Sequence, residues 1–153
     1  MYSVMNIASY ICNRYMKENH MRIDEMKLHK LLYFAQRESL IQNNEPLFSE
    51  QFEAWKYGPV LREIREHYKN NDFDYSYDDQ SLKPIMDKVF SEYSHVLSWS
   101  LSMISHGEES WKRARKDLQE WENGNNKIDT NDIRIDANRV KMLRGLYNCR
   151  KNS

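Results

Sequence analysis

Glycine and proline are scarce in this chain, with four glycines and three prolines among 153 residues. A fold of many strands needs frequent turns, and these two residue types supply most of the turn conformations. Long stretches without them favour helices. Hydrophobic residues make up 40% of the chain and aromatic residues 12%, which is enough to build a core. The sequence therefore predicts a mainly α fold, a single compact helical domain over residues 1–153.

Apolar residues recur at spacings of three and four along most of the chain, which is the pattern of amphipathic helices. It predicts six or seven helices, at about 3–17, 24–43, 59–69, 81–93, 94–105, 111–121 and 136–147. Pro59 is expected to start the third of them and Asp136 to cap the last. A weak period of two near 51–57 predicts a short extended segment, and Ile133 and Ile135 are also expected to be extended.

Signatures of catalysis or of cofactor binding are missing from the sequence. It has no glycine-rich nucleotide motif and no zinc spacing. A run from Asp72 begins like a calcium loop, but Tyr77 and Lys83 stand where glycine and glutamate are required. His106 and Glu109 lie three residues apart, which helix capping explains more simply than proton transfer. We therefore expect no catalytic residue, no cofactor and no metal, and a protein that is not an enzyme.

Charge is balanced overall but uneven along the chain. Lys plus Arg and Asp plus Glu both number 23, which argues against a surface built wholly for nucleic acid. From Trp111 onward, however, cations exceed acids by 11 to 6. One interpretation is solvated helix faces, and another is a docking surface for an acidic partner or for nucleic acid. Without a signal peptide or a long apolar run, the expected location is the cytoplasm, with Cys12 and Cys149 as reduced thiols.

Three motifs then follow one another in order. Residues 26–36 read MKLHKLLYFAQ, residues 45–48 read EPLF and lead to FEAWKYGPV at 52–60, and residues 105–114 read SHGEESWKRA. Together they resemble the Panacea domain, the family of SocA-like antitoxins from bacteria and phages. The resemblance covers about residues 7–114, and 124–153 is a less certain C-terminal extension. The residues that carry the family motifs are Lys27, Leu28, Lys30, Leu31, Leu32, Tyr33, Ala35, Trp55, Gly58, Pro59, Val60 and His106.

Four positions depart from the family pattern. Arg37 and Glu38 stand where the family commonly has Gly-Trp. Ser105 replaces a usual threonine, and Ser110 replaces a frequent proline.

The resemblance implies an antitoxin, encoded beside its toxin and carried by a prophage or another mobile element. It would bind and neutralise that protein toxin by direct contact. One alternative is an adaptor that delivers the toxin to a Clp-type protease. Another is a nucleic-acid-binding regulator that uses the basic C-terminal third, although nucleic acid is the less favoured partner and no membrane partner is expected. The oligomeric state stays open.

Large aromatic and arginine side chains dominate protein interfaces, so they are the first candidates for contact with a partner. Tyr57 lies beside the Gly58-Pro59 turn, where an aromatic ring projects at little entropic cost. For Trp55 and Trp111 the competing interpretation is packing in the core. The predicted partner-binding residues are Tyr57, Arg62, Arg65, Tyr68 and Trp111.

Overall fold

The computed structural model describes residues 1–152, with Asn152 described by its backbone alone. Over these residues the chain forms seven α-helices and one two-stranded hairpin, which confirms the mainly α prediction. The elements are α1 (Val4–Asn19), α2 (Glu25–Asn43), β1 (Glu53–Trp55), β2 (Gly58–Val60), α3 (Arg62–Asn70), α4 (Lys83–Tyr93), α5 (Ser98–Ser105), α6 (Glu109–Ala114) and α7 (Thr130–Asn152). A short 3-10 turn at Gln80–Leu82 leads into α4.

Helix α2 is the centre of the fold. The Asp24 side chain caps its start by accepting a hydrogen bond from the Lys27 backbone N–H at 2.9 Å. Asn44 ends the helix in the left-handed conformation. Every residue from Lys27 to Ile41 is buried, because α1, α4, α5 and α7 pack around it. Apolar residues on more than one side of this segment make such enclosure favourable.

The third predicted helix begins later than expected. Pro59 belongs to β2, where it lies opposite Ala54 in an antiparallel pair, and α3 starts at Arg62. Gly58 reverses the chain with a φ of 112°, a conformation that glycine adopts without steric cost. The prediction that Pro59 starts a helix is therefore wrong, because the extended segment near 51–57 continues into a hairpin.

The C-terminal boundaries also differ from the sequence prediction. Helix α6 ends at Ala114, well short of Trp121. Helix α7 begins at Thr130, so Ile133 and Ile135 are helical rather than extended. Asp136 does act as a cap, but for α6. Its carboxylate accepts the backbone N–H groups of residues 109 and 110 at 2.8 and 2.9 Å. Such capping across elements depends on tertiary packing that no local pattern encodes.

Two residues that depart from the family pattern hold the C-terminal part of the domain. Arg37 pairs with Glu108 at 2.6 Å, and both side chains are 4% exposed. Glu38 receives two hydrogen bonds from Arg144 of α7, at 3.0 and 2.8 Å. A bidentate arginine–carboxylate pair fixes orientation as well as distance. These two ion pairs therefore set where α6 and α7 lie against α2.

Candidate functional site

A wide groove of about 840 Å³ opens where α2, the hairpin and α3 meet. The side chains around it mix aromatic rings, cations and a carboxylate, as ligand-binding and protein-binding clefts do. Its lining residues are Glu25, Met26, His29, Lys30, Trp55, Lys56, Tyr57, Val60, Arg62, Arg65, Asn123, Gly124 and Asn125.

Lys30 forms the floor of the groove. Its side chain is 2% exposed, and its ammonium nitrogen donates to the Pro59 carbonyl oxygen at 3.2 Å. Burial lowers the pKa of Lys30 to about 7, because a desolvated ammonium is disfavoured. Gly58 makes room for this side chain, since a Cβ there would lie 2.6 Å from Lys30 Cε.

A buried histidine joins the floor of the groove to the hairpin. The Leu61 backbone N–H donates to His29 Nδ1 at 3.3 Å, so Nε2 carries the proton and donates to Glu25 at 3.0 Å. Burial lowers the pKa of His29, which favours this neutral form. The same hydrogen bond lowers the pKa of Glu25, and Arg65 lies 3.5 Å from its carboxylate. The polar side chains of His29 and Glu25 in the wall of the groove are thus paired with groups of the domain itself.

The rim of the groove places two arginines over a tryptophan. Arg62 donates two hydrogen bonds to Glu53, at 3.0 and 2.9 Å, and these bonds lower the pKa of Glu53. The guanidinium carbons of Arg62 and Arg65 lie 5.6 and 5.1 Å from the Trp55 ring centre. Such cation–π contacts hold long side chains in place while leaving their outer edges exposed. Arg62 keeps 59% of its side chain in solvent.

An apolar surface continues from Tyr57 onto α5. The Tyr57 and Trp99 rings lie 5.1 Å apart, and 46% and 56% of these residues remain exposed. Ser102 ties the two elements together by donating to the Tyr57 carbonyl oxygen at 2.6 Å. Contiguous exposed apolar surfaces mark interaction sites. The exposed pair of Tyr57 and Trp99 is named here the α5 patch; Leu97, Met103 and Ile104 are exposed on the same segment.

The sequence prediction had not included α5 in the site, because an aromatic residue on an apolar stripe is more often in the core. A signal was nevertheless present. Segment 97–104 has more apolar residues than one buried helix face can hold: Leu97, Trp99, Leu101, Met103 and Ile104. Of these five residues, Leu101 alone is fully buried.

Of the predicted partner-binding residues, the structure gathers Tyr57, Arg62 and Arg65 at the groove. Tyr68 lies apart from the groove lining, with its hydroxyl donating to the Ile23 carbonyl oxygen at 2.9 Å and its ring 3.7 Å from the Arg22 guanidinium carbon. Trp111 is 2% exposed and donates to a backbone carbonyl of β1 at 2.8 Å.

The family-motif residues fall mainly in the core. Trp111 stacks on His106 with ring centres 4.3 Å apart, which connects the third motif to β1. The Tyr33 hydroxyl contacts Ser110 Oγ at 2.7 Å and donates to Glu108 at 3.1 Å. The motif residues that are buried are Lys27, Leu28, Lys30, Leu31, Leu32, Tyr33, Ala35, Gly58, Pro59 and Val60.

Across residues 1–152, no cluster of three or more His, Cys, Asp or Glu side chains has the geometry to hold a metal ion. None of the described helices is both long and apolar enough to cross a membrane.

The described residues thus form a small helical domain with a groove lined by aromatic and cationic side chains. The chain belongs to the family described as antitoxin SocA-like, Panacea domain, whose model matches residues 28–112, as the motifs predicted. It is similar to the Antitoxin SocA of Caulobacter vibrioides (strain NA1000 / CB15N), with 50% identity over 38 residues. That match covers 25% of this chain and spans only 20% of the relative. No solved structure matches the chain.

Proposed function

We propose that this protein is an antitoxin that neutralises a protein toxin by direct contact through the groove and the adjoining α5 patch. Membership of the SocA-like family supports the antitoxin role. The observation that carries the direct-contact mechanism is the continuity of the two surfaces. Tyr57 lines the groove and also touches Trp99 of the α5 patch.

The chemistry of this surface fits a protein partner. Tryptophan, tyrosine and arginine provide most hot spots in protein interfaces. Tyr57 and Arg65 line the groove, and Trp99 lies against Tyr57. Arg65 and Trp55 are held by contacts within the domain, so ordering them on binding costs little conformational entropy. We leave Trp111 and Tyr68 out of the proposed interface, because Trp111 is buried and Tyr68 lies apart from the groove lining.

The basic C-terminal third is less suited to nucleic acid, because several of its cations already serve inside the domain. Arg115 is 3% exposed and donates to the Ala54 carbonyl oxygen at 3.0 Å. Arg144 pairs with Glu38, and Arg113 lies 3.2 Å from Asp132. A surface that neutralises phosphates needs its cations free and on one face.

The test is growth of cells that express the neighbouring gene, with and without this protein. We expect the neighbour to be toxic and this protein to restore growth. The double variant Tyr57→Ala with Trp99→Ala should bind the toxin at least about 30-fold more weakly and fail to rescue. Trp121→Ala is the matched control, since that residue is 70% exposed and lies outside both surfaces.

Three measurements separate the alternatives. Wild-type thermal stability in the double variant would show that the loss concerns binding rather than folding. An unchanged toxin half-life during rescue supports masking, whereas a shortened one favours delivery to a protease. A double variant that binds and rescues like wild type would overturn the proposed interface, and a harmless neighbour would overturn the antitoxin role.

A further inference from the structure

Two lysines of the groove lack an acidic partner within the described part of the chain. The four cations of the groove lining are Lys30, Lys56, Arg62 and Arg65. The two arginines pair with Glu53 and Glu25, at 2.9 and 3.5 Å. Over residues 1–152, neither lysine forms an ion pair with an aspartate or a glutamate. The positive charge that the groove presents to a ligand therefore comes from the two lysines.

The ammonium group of Lys30 has spare hydrogen-bond donors at the floor of the groove. An ammonium group carries three N–H donors. Among the residues that the structure describes, the Pro59 carbonyl oxygen is its one acceptor, at 3.2 Å. The side chain is 2% exposed, and a buried donor without an acceptor is costly. A carboxylate placed in the groove supplies the missing acceptor and the missing counter-charge together.

The same carboxylate would also decide the charge state of Lys30. Burial lowers the pKa of Lys30 to about 7, because the charged form is desolvated. An anion within hydrogen-bond distance acts in the opposite direction and favours the ammonium form. Binding of a carboxylate and protonation of Lys30 therefore support each other.

Lys56 brings the second cation to the groove from the hairpin turn. Its ammonium nitrogen lies 5.3 Å from the Tyr57 ring centre, and the residue is partly exposed. Such a contact orients the side chain and leaves its charge available to a ligand. Trp55, Tyr57 and Val60 line the same groove, so apolar groups beside the carboxylate would also find contacts.

We infer that Lys30 and Lys56 form a subsite that binds the side-chain carboxylate of a glutamate or an aspartate in a segment of a partner protein. The identification of that partner as the toxin rests on the proposed function, whereas the subsite does not. A phosphate group is the less suitable ligand, because the two arginine forks that would grip it are engaged by Glu53 and Glu25.

The test uses the full chain and two capped pentapeptides that differ in one residue. Both have alanine and leucine flanks, and the central residue is glutamate in one and glutamine in the other. Titrations at pH 6, below the pKa of Lys30, are followed by the NMR signals of the Trp55 indole and the Tyr57 amide, which report on the groove. We expect the glutamate peptide to bind at least about tenfold more tightly, as hydrogen bonds to a charged group predict.

Three variants assign the preference to the lysines. Lys30→Met should abolish it, and Lys56→Gln should reduce it at least about threefold. Lys88→Gln is the matched control, because that lysine lies on α4 outside the groove, and its preference should equal that of wild type. Melting curves would verify the folds, and Lys56→Gln keeps the test valid if Lys30→Met does not fold.

Equal affinity for the two peptides, binding of neither, or a preference that survives in folded Lys30→Met and in Lys56→Gln would overturn the inference. Tighter binding of inorganic phosphate than of the glutamate peptide would assign the lysines to phosphate and would overturn it as well. The peptide titration needs no toxin, so a harmless neighbouring gene would refute the antitoxin role alone. Rescue of growth without a preference for the glutamate peptide would refute the subsite alone.

Discussion

The buried pair of Arg37 and Glu108 gives the sharpest test of how this fold is held together. Both side chains are 4% exposed, and their charged atoms lie 2.6 Å apart. Arg37 also donates to the Tyr93 hydroxyl at 2.5 Å. Replacing Arg37 by methionine keeps most of the side-chain volume but leaves a carboxylate buried without its main counter-charge. Breaking such a pair from one side costs about 3–5 kcal/mol.

The structure places the expected loss near the lower end of that range. Glu108 keeps the Tyr33 hydroxyl at 3.1 Å, and Arg139 lies 3.5 Å away. We therefore expect Arg37→Met to lower the free energy of unfolding by about 3 kcal/mol. For a chain of this length that corresponds to a fall in melting temperature of about 6–12 °C. Urea titration and calorimetry at pH 7.5 would measure both quantities.

The loss should depend on pH in a defined direction. Burial raises the pKa of Glu108, and Arg37 opposes that rise. Without Arg37 the pKa in the folded state moves higher still, while the unfolded value stays near 4.3. Stability of the variant is then fullest below the unfolded pKa and falls as pH rises through the folded pKa. The difference in free energy of unfolding between wild type and Arg37→Met should therefore be larger at pH 8 than at pH 5.

Two further variants complete the test. Adding Glu108→Gln to Arg37→Met should restore at least half of the loss, because the buried charge is then gone. Lys88→Met is the matched control, since it breaks a half-exposed pair with Glu92 and should cost under about 0.5 kcal/mol. A loss below about 1 kcal/mol for Arg37→Met, or a loss that does not change between pH 5 and 8, would refute the reasoning.

Four more predictions concern the groove, helix α7 and the thiols. Gly58→Ala should lower the free energy of unfolding, measured by urea titration, by about 3 kcal/mol, because φ is 112° and a Cβ would overlap buried atoms. Gly145→Ala, where a Cβ meets nothing within 4 Å, should instead raise stability by about 0.5–1 kcal/mol. The folded protein releases the Lys30 proton near pH 7, whereas the unfolded chain keeps it to about pH 10.4. Between pH 7 and 9 the free energy of unfolding of the wild type should thus rise by about 1 kcal/mol per pH unit relative to that of Lys30→Met. A difference between the two proteins that does not change with pH would contradict the assignment of Lys30 as a buried lysine. Burial raises the pKa of Cys12 to about 12, so a thiol reagent should label Cys149 alone in the native state and both thiols in denaturant.

Two of the four departures from the family pattern, Arg37 and Glu38, acquire a physical meaning in the structure. Arg37 and Glu38 both lie in the buried part of α2, where an unpaired charge is costly. Each is paired with a residue far along the chain, at Glu108 and Arg144. The Glu38–Arg144 pair links the matched core of the domain to α7 in the C-terminal extension, whereas the Arg37–Glu108 pair lies within residues 28–112.

Local patterns determined most of the helices. The Ser3 and Asp24 side chains cap α1 and α2 through local hydrogen bonds, and the apolar spacing that predicted both helices is local as well, so the prediction of these helices is confirmed. The three ordered motifs likewise indicate the family whose model matches residues 28–112. Helix caps and apolar spacing depend on residues within one or two turns of each other, which is why a linear sequence displays them.

Tertiary structure decided the rest. Pro59 entered a strand because β1 was available to pair with it, and Asp136 capped α6 because α7 lies against that helix. Trp99 was left exposed and Trp111 was buried, although both stand on apolar stripes. The outcome at each of these positions depends on which distant element packs there. Burial and pairing are properties of the assembled fold, and the local pattern leaves them open.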